Sequence, residues 1–144
     1  MRDRTDGDLL PDADAHAEQY ASVRRAHETE LIEDYVELIG ELLEAEGEAR
    51  AVDIARRMGV RQATVTKMVG RLAERGLVTT APYRSIFLTD EGQAMARRSR
   101  ERHAVVLQFL RAIGVSDATA RIDAEGLEHH VSEETLEVMR RHIG

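Results

Sequence analysis

The sequence predicts a mainly α protein in two parts, an N-terminal winged helix-turn-helix with a small β-hairpin wing followed by an all-helical unit. Three observations carry that prediction. The stretch ARAVDIARRMGVRQATVTKMVGRLAERG reads as two short helices around a Gly-Val-Arg turn. Two β-prone runs, LVTT and RSIFLT, flank Ala81-Pro82-Tyr83. From Asp90 onward the apolar residues keep a helical period, with capping residues at each break. These signals divide the chain into residues 1–27, 28–89 and 90–144.

Residues 1–27 are polar, acidic and weakly periodic, with Gly7 and Pro11 as breakers. They read as a mobile N-terminal extension with some helix near its end, and carry no functional signal. From Glu28 to Glu46, the residues Leu31, Tyr35, Leu38, Ile39, Leu42 and Leu43 recur at helical spacing, which predicts an amphipathic helix ending near Gly47. Val52, Ile54, Ala55 and Met58 mark the next short helix. Ala63, Val65, Met68, Val69 and Leu72 mark the one after it, stopped by Gly76. A long helix follows, with Thr89 as its N-cap and Gly114 as its stop. Ser116 to Ile122, Ala124 to His130 and Ser132 to His142 read as three shorter helices, the last opened by a capping-box-like Ser132-Glu133-Glu134-Thr135. This helical unit is where a dimer contact would fit.

With 144 residues the chain can bury a real core. It has no cysteine, which excludes disulfides, thiolate metal sites and a cysteine nucleophile; any metal would be held by oxygen and imidazole. No apolar run approaches the roughly 18 residues of a membrane span, and the polar opening lacks the apolar core of a signal peptide, so a cytoplasmic protein is expected. The net charge of −7 hides a segregation. Residues 1–48 carry 15 acidic and 4 basic side chains, residues 49–84 carry 2 and 8, and residues 85–144 carry 10 and 8. The basic middle coincides with the helix-turn-helix, where a polyanion would dock.

In a winged helix the segment RQATVTKMVGRLAER would enter the major groove of double-stranded DNA. Gln62, Thr64 and Lys67 are then the candidate base readers. Arg57, Arg61, Arg71 and Arg75, with Arg84 on the wing, are placed for phosphates, which hold register without reading sequence. Elsewhere, Asp34 and Glu37 stand three apart on one helix face, and Glu125, Glu128 and His129 in EGLEHH stand three and four apart. By itself each set is a weak signal, since carboxylates three apart on a surface helix are usually only solvated. His103 on the long helix is equally ordinary alone, and His130 lies about a third of a helical turn from His129, so the two would not reach one ion. Oxygen-rich donors with one or two imidazoles suit manganese(II), iron(II) or zinc.

Five colinear stretches, IEDYVELIGELLEAEG, VDIARRMGVRQATVTKMVGRLAERGLV, YRSIFLTDEGQAMA, RHAVVLQFLRAIGV and DAEGLEHHVS, resemble the manganese transport regulators, the manganese branch of the diphtheria-toxin-repressor family. The resemblance covers residues 28 to 142. It implies a homodimeric, metal-activated repressor with an N-terminal winged helix and a helical metal-binding and dimerisation domain. It further implies Asp34, Glu37, His103, Glu125, Glu128 and His129 as ligands of Mn2+. Six donors exceed what one ion needs alongside water, so two ions per subunit can share them, and Fe2+ or Zn2+ can substitute. In the iron-sensing branch a methionine would take the place of Asp34 and a cysteine that of Glu125. Carboxylates at both positions point to manganese. The SH3-like third domain common in the iron branch is not expected after Gly144. A two-fold dimer would read a near-palindromic operator, with no membrane and no organic cofactor involved.

Two other classes compete with this reading. A di-iron oxidase needs a Glu-x-x-His pair from each of two helices, and Glu125 is followed three residues on by Glu128 instead. A metal-independent winged-helix regulator answering to an organic ligand would bind its operator even after chelation.

Overall fold

A computed structural model describes residues 10–144. Six helices and one hairpin follow in the order α1 (Ala13–Glu46), α2 (Ala51–Met58), α3 (Gln62–Glu74), β1 (Val78–Thr79), β2 (Phe87–Leu88), α4 (Asp90–Ala112), α5 (Asp117–Leu127) and α6 (Glu133–Ile143). The winged helix-turn-helix and the helical unit behind it are both present.

Helix α1 is longer than apolar spacing predicts. It starts at Ala13, where the Asp12 side chain accepts a hydrogen bond from the Ala15 amide at 2.8 Å, and runs unbroken to a left-handed Gly47. Residues 13–27, expected as a mobile extension with some helix near its end, are helical throughout, while the first nine residues lie outside the described part. The apolar period is missing there because Tyr20 and Val23 stay exposed and belong to neither core, Tyr20 meeting only the His16 ring one turn before it among the described residues. What sustains the helix is a cap, several alanines and the absence of glycine or proline between residues 13 and 39.

The hairpin is short, with Val78 paired to Leu88 and Thr79 to Phe87 in antiparallel register. Its tip is a turn closed by the Arg84 amide donating to the Ala81 carbonyl at 3.2 Å, with Pro82 and Tyr83 at its centre. Tyr83 adopts φ 61°, the left-handed conformation such a turn demands after proline. The wing is tied back to the loop before α2: the Ile86 amide donates to the Ala49 carbonyl at 2.8 Å, and the Ser85 hydroxyl accepts from the Ala49 amide at 2.8 Å.

Helix α4 begins against the base of the wing. Thr89 caps it by accepting from the Gly92 amide at 3.1 Å, while its hydroxyl donates to the Gly76 carbonyl at 2.6 Å. Gly92 is packed so closely that a Cβ there would run into the Leu77 carbonyl oxygen. The start of α4 is thereby fixed to the DNA-binding half.

Two apolar cores result. One gathers Tyr35, Val36 and Ile39 of α1 with Ile54, Val65, Leu72, Leu77 and Ile86, and reaches α4 at Ala96. The other gathers Val106, Leu107 and Leu110 of α4 with Ala120, Ala124, Leu136 and Met139. Burying a side chain such as Ile39 or Ile54 completely contributes about 1.5–3 kcal/mol. Helix α4 belongs to both cores, and His103 stands on it between Ala96 and Val106.

The C-terminal segment corrects one expectation. The two helices read over Ser116–His130 are a single helix α5 ending at Leu127, and residues 128–130 form a turn. No breaker separates Ile122 from Ala124, and Ala120 and Ala124 are buried in the same core. EGLEHH therefore splits, with Glu125 on the helix and Glu128, His129 and His130 in the turn beyond it.

Candidate metal centre and nucleic-acid face

The seam between the two cores is lined by charge. From α1 come Glu30, Glu33, Asp34 and Glu37; from α4 comes His103; from the end of α5 and its turn come Glu125, Glu128 and His129. Glu128 is 1% exposed and His129 is buried, an unusual fate for ionisable groups without a special reason.

His129 has carboxylates near both ring nitrogens but is hydrogen-bonded at only one. Its Nδ1 lies 2.7 Å from Glu33 Oε2, while Nε2 faces Asp34 Oδ1 at 3.1 Å and Glu128 Oε1 at 3.3 Å. Neither of the last two contacts has hydrogen-bond alignment, and Nε2 has no such partner among the described residues. Glu128 Oε2 lies 2.8 Å from His103 Nδ1, and Glu125 Oε1 lies 3.8 Å from the same nitrogen. Both Glu128 oxygens also lack an aligned donor. Leaving a buried polar atom unsatisfied costs about 1–3 kcal/mol, more for a charged group. Three such atoms facing one another are what a cation would satisfy.

The electrostatics agree. Burial chiefly, with Glu37, Glu125 and Asp34 adding to it and His129 opposing, pushes the Glu128 carboxyl up to about 8. Burial works against a charge on His129, but the carboxylates of Asp34, Glu33 and Glu128 outweigh it and raise the ring to about 10. Glu37 is also raised, first by burial and then by Glu41, Glu125 and Asp34. Crowded carboxylates hold protons that a metal would displace.

Potential ligand atoms gather into two adjacent groups along the seam, each with atoms within 4.8 Å of one another: Glu30, Asp34 and His129, and His103, Glu125 and Glu128. Five of the six expected ligands fall in these groups. Glu37 joins neither and contributes as a neighbouring half-buried carboxylate. Sequence reasoning missed Glu30, Glu33 and Arg102. Arg102 bridges Glu33 at 3.6 Å and Glu133 of α6 at 3.2 Å, so it supports the carboxylate that orients His129. Glu33 precedes Asp34 on the helix, and no local spacing marks it; its role shows in its burial and its contact with His129.

On the other face, Gln62, Thr64 and Lys67 are exposed along the first turns of α3, and Arg61 stands at its N-cap. A groove lies between α3 and the wing, bordered by Gln62, Thr66, Gly70, Tyr83 and Arg84. Arg71 and Arg75 have partners of their own, both reaching Glu28 Oε1 on α1, at 3.0 and 3.3 Å, and Arg57 lies 3.9 Å from Glu46. These are exposed pairs of the kind that exchange readily with solvent or phosphate.

Comparison with known proteins fits this layout. Residues 27–86 match the family described as iron dependent repressor, N-terminal DNA binding domain, and residues 89–144 match iron dependent repressor, metal binding and dimerisation domain. The chain is 55% identical over 131 residues to the transcriptional regulator MntR of Escherichia coli O6:H1, covering 91% of this chain and 84% of that one. It is 42% identical over 104 residues to the HTH-type transcriptional regulator MntR of Geobacillus kaustophilus, covering 72% and 74%. Among solved structures it is similar to the manganese regulator SloR, with 30% identity over 76% of this chain and a TM-score of 0.65. It is also similar to a manganese-dependent transcriptional repressor in complex with manganese, with 29% identity over 78% of this chain and a TM-score of 0.69. The chain spans about half, 52%, of each of those two solved chains. The chain belongs to the iron dependent repressor family, as a DNA-binding transcriptional regulator with a metal-binding and dimerisation domain, and is not an enzyme.

Proposed function

We propose that this protein is a manganese(II)-activated repressor that binds a near-palindromic operator as a homodimer and controls manganese homeostasis genes. The observation that carries this reading is the seam itself. Asp34 and Glu37 belong to α1, which is built into the DNA-binding core, whereas His103, Glu125, Glu128 and His129 belong to the helical half.

Every donor at the seam is an oxygen or an imidazole nitrogen, a set that suits manganese(II) and admits iron(II) or zinc. A bound divalent cation supplies the positive charge that this carboxylate cluster lacks. Asp34, Glu128 and His129 would hold it once Glu128 and His129 give up their protons. Glu33 fixes the His129 ring so that Nε2 faces the seam, and Arg102 keeps Glu33 in place. His103 and Glu125, with Glu128 between the two groups, form a second position, which supports two ions per subunit. Among the relatives, ScaR has been solved with bound Zn2+.

Without this neutralisation the carboxylates repel, and α1 is less firmly joined to α4 and the turn after α5. With it, the recognition helices are restricted to the spacing an operator requires, a population shift rather than a new fold. Gln62, Thr64 and Lys67 then meet base edges while Arg61 and Arg84 hold phosphates. The exposed Ile122 of α5 and Val138 of α6 offer apolar surface for the partner subunit.

The test is an operator-binding titration of chelator-treated protein with and without manganese. Manganese-dependent binding is expected. Equal affinity in chelator would overturn the reading in favour of a metal-independent regulator.

A further inference from the structure

One part of EGLEHH is left without a role at the seam. His130 turns away from His129 and meets the opposite end of the α1 acidic stripe, where its Nε2 lies 2.8 Å from Glu30 Oε2. The His27 ring packs edge-on to it with centroids 5.3 Å apart. His27 and Glu30 are three apart on α1 and so share a face, and the donor atoms of His27, Glu30 and His130 all lie within 4.8 Å of one another.

We propose that His27, Glu30 and His130 form an accessory site for a borderline divalent cation of the zinc class. Two imidazoles and one carboxylate are the donor set that zinc, nickel and copper take in preference to manganese, both by ligand type and by their order of affinity. Tetrahedral zinc needs donors about 3.4 Å apart at metal–ligand distances near 2.1 Å. His27 and His130 are exposed and Glu30 is half-buried, so small side-chain rotations close the gap without moving the backbone. The open side leaves a position for water. Along α1, His27, Glu30, Asp34 and Glu37 follow at spacings of three, four and three, one continuous row of donors. Glu30 sits at its middle and is common to this cluster and to the Asp34–His129 group. A cation at the accessory site would clip α1 to the 128–130 turn at a second point, beside the residues that face the seam.

The site is distinguishable from the seam because His27 and His130 take no part in the latter. Full-length, chelator-treated protein is titrated with Zn2+ alone and, separately, with Mn2+ alone, and each is repeated on His27→Ala, His130→Ala and Glu30→Gln. The expected result is that His27→Ala and His130→Ala each lose one zinc equivalent, or bind it at least about tenfold more weakly, the scale on which weakened coordination is felt. Their manganese binding stays that of the parent. Glu30→Gln, which keeps the shape of the side chain, loses the same zinc equivalent. Unchanged zinc stoichiometry and affinity in both histidine variants would overturn the proposal. So would an equal loss of manganese and zinc, which would make the cluster part of the seam. The zinc equivalent is read by difference between variants, so it stands or falls whether or not the parent protein answers to manganese.

Discussion

The Nδ1 of His129 lies 2.7 Å from the Oε2 of Glu33, across 96 residues of sequence and from the turn after α5 to the middle of α1. The contact sets the tautomer of the ring: with Nδ1 committed to a carboxylate, Nε2 is left to face Asp34 and Glu128. Glu33→Ala is therefore expected to weaken manganese binding roughly 10–100-fold, although Glu33 faces no other donor of the seam. Glu33→Gln keeps an acceptor for Nδ1 and should fall between the two. Manganese titrations followed by electron paramagnetic resonance check the order.

Proton release on metal binding is the second expectation. Glu128, raised from 4.5 to about 8, and His129, raised from 6.5 to about 10, both hold protons at neutral pH in the metal-free protein. Apparent manganese affinity should thus rise with pH, by up to about a hundredfold per unit while both protons must leave. Stability of the metal-free protein runs the other way. Because the folded state binds the extra proton, the Glu128 contribution is lost as pH climbs from 4.5 towards 8 and that of His129 from 6.5 towards 10. Calorimetric metal titrations in buffers of different ionisation enthalpy count the protons, and thermal melts across the same range give the sign of the second effect.

Asp34→Met tests the choice of metal. A thioether is a soft ligand that suits manganese(II) poorly, so the variant should lose manganese activation relative to iron(II) in operator binding. Manganese selectivity equal to the parent's would argue against Asp34 as a ligand.

Contacts on the DNA face should sort by salt. Arg61→Ala and Arg84→Ala each remove a charge placed for a phosphate and should reduce the slope of log affinity against log salt by about one each. Gln62→Ala should leave that slope unchanged and relax base preference at one position, at about 1–3 kcal/mol of discrimination. Fluorescence anisotropy over a salt series separates the two behaviours.

Gly92→Ala addresses the joint between the halves. The added methyl meets the Leu77 carbonyl and the Leu88 side chain, so the start of α4 must shift away from the wing. A loss of about 1–3 kcal/mol is expected, the usual scale of overpacking, together with weaker coupling between metal binding and operator binding. A melt and a paired metal–DNA titration measure both.

By itself the sequence determined the order of elements from the first helix through the wing to the long helix, the cap at Thr89 and the basic character of the recognition helix, because those follow from local period, turn chemistry and charge counted along the chain. The spacing of Asp34 and Glu37, and of Glu125, Glu128 and His129, was equally legible, though each set alone looked like surface. Tertiary structure decided what distance along the chain conceals. It buried Glu128 and His129, brought Glu33 and Arg102 behind the ring, and separated His130 from His129 by ending α5 at Leu127. It also extended α1 back to Ala13, where an exposed helix leaves no apolar period to read. The physical reason is the same throughout: helical propensity and patterning are local, whereas desolvation and the meeting of charges from α1, α4 and α5 exist only once the two cores have closed around the seam.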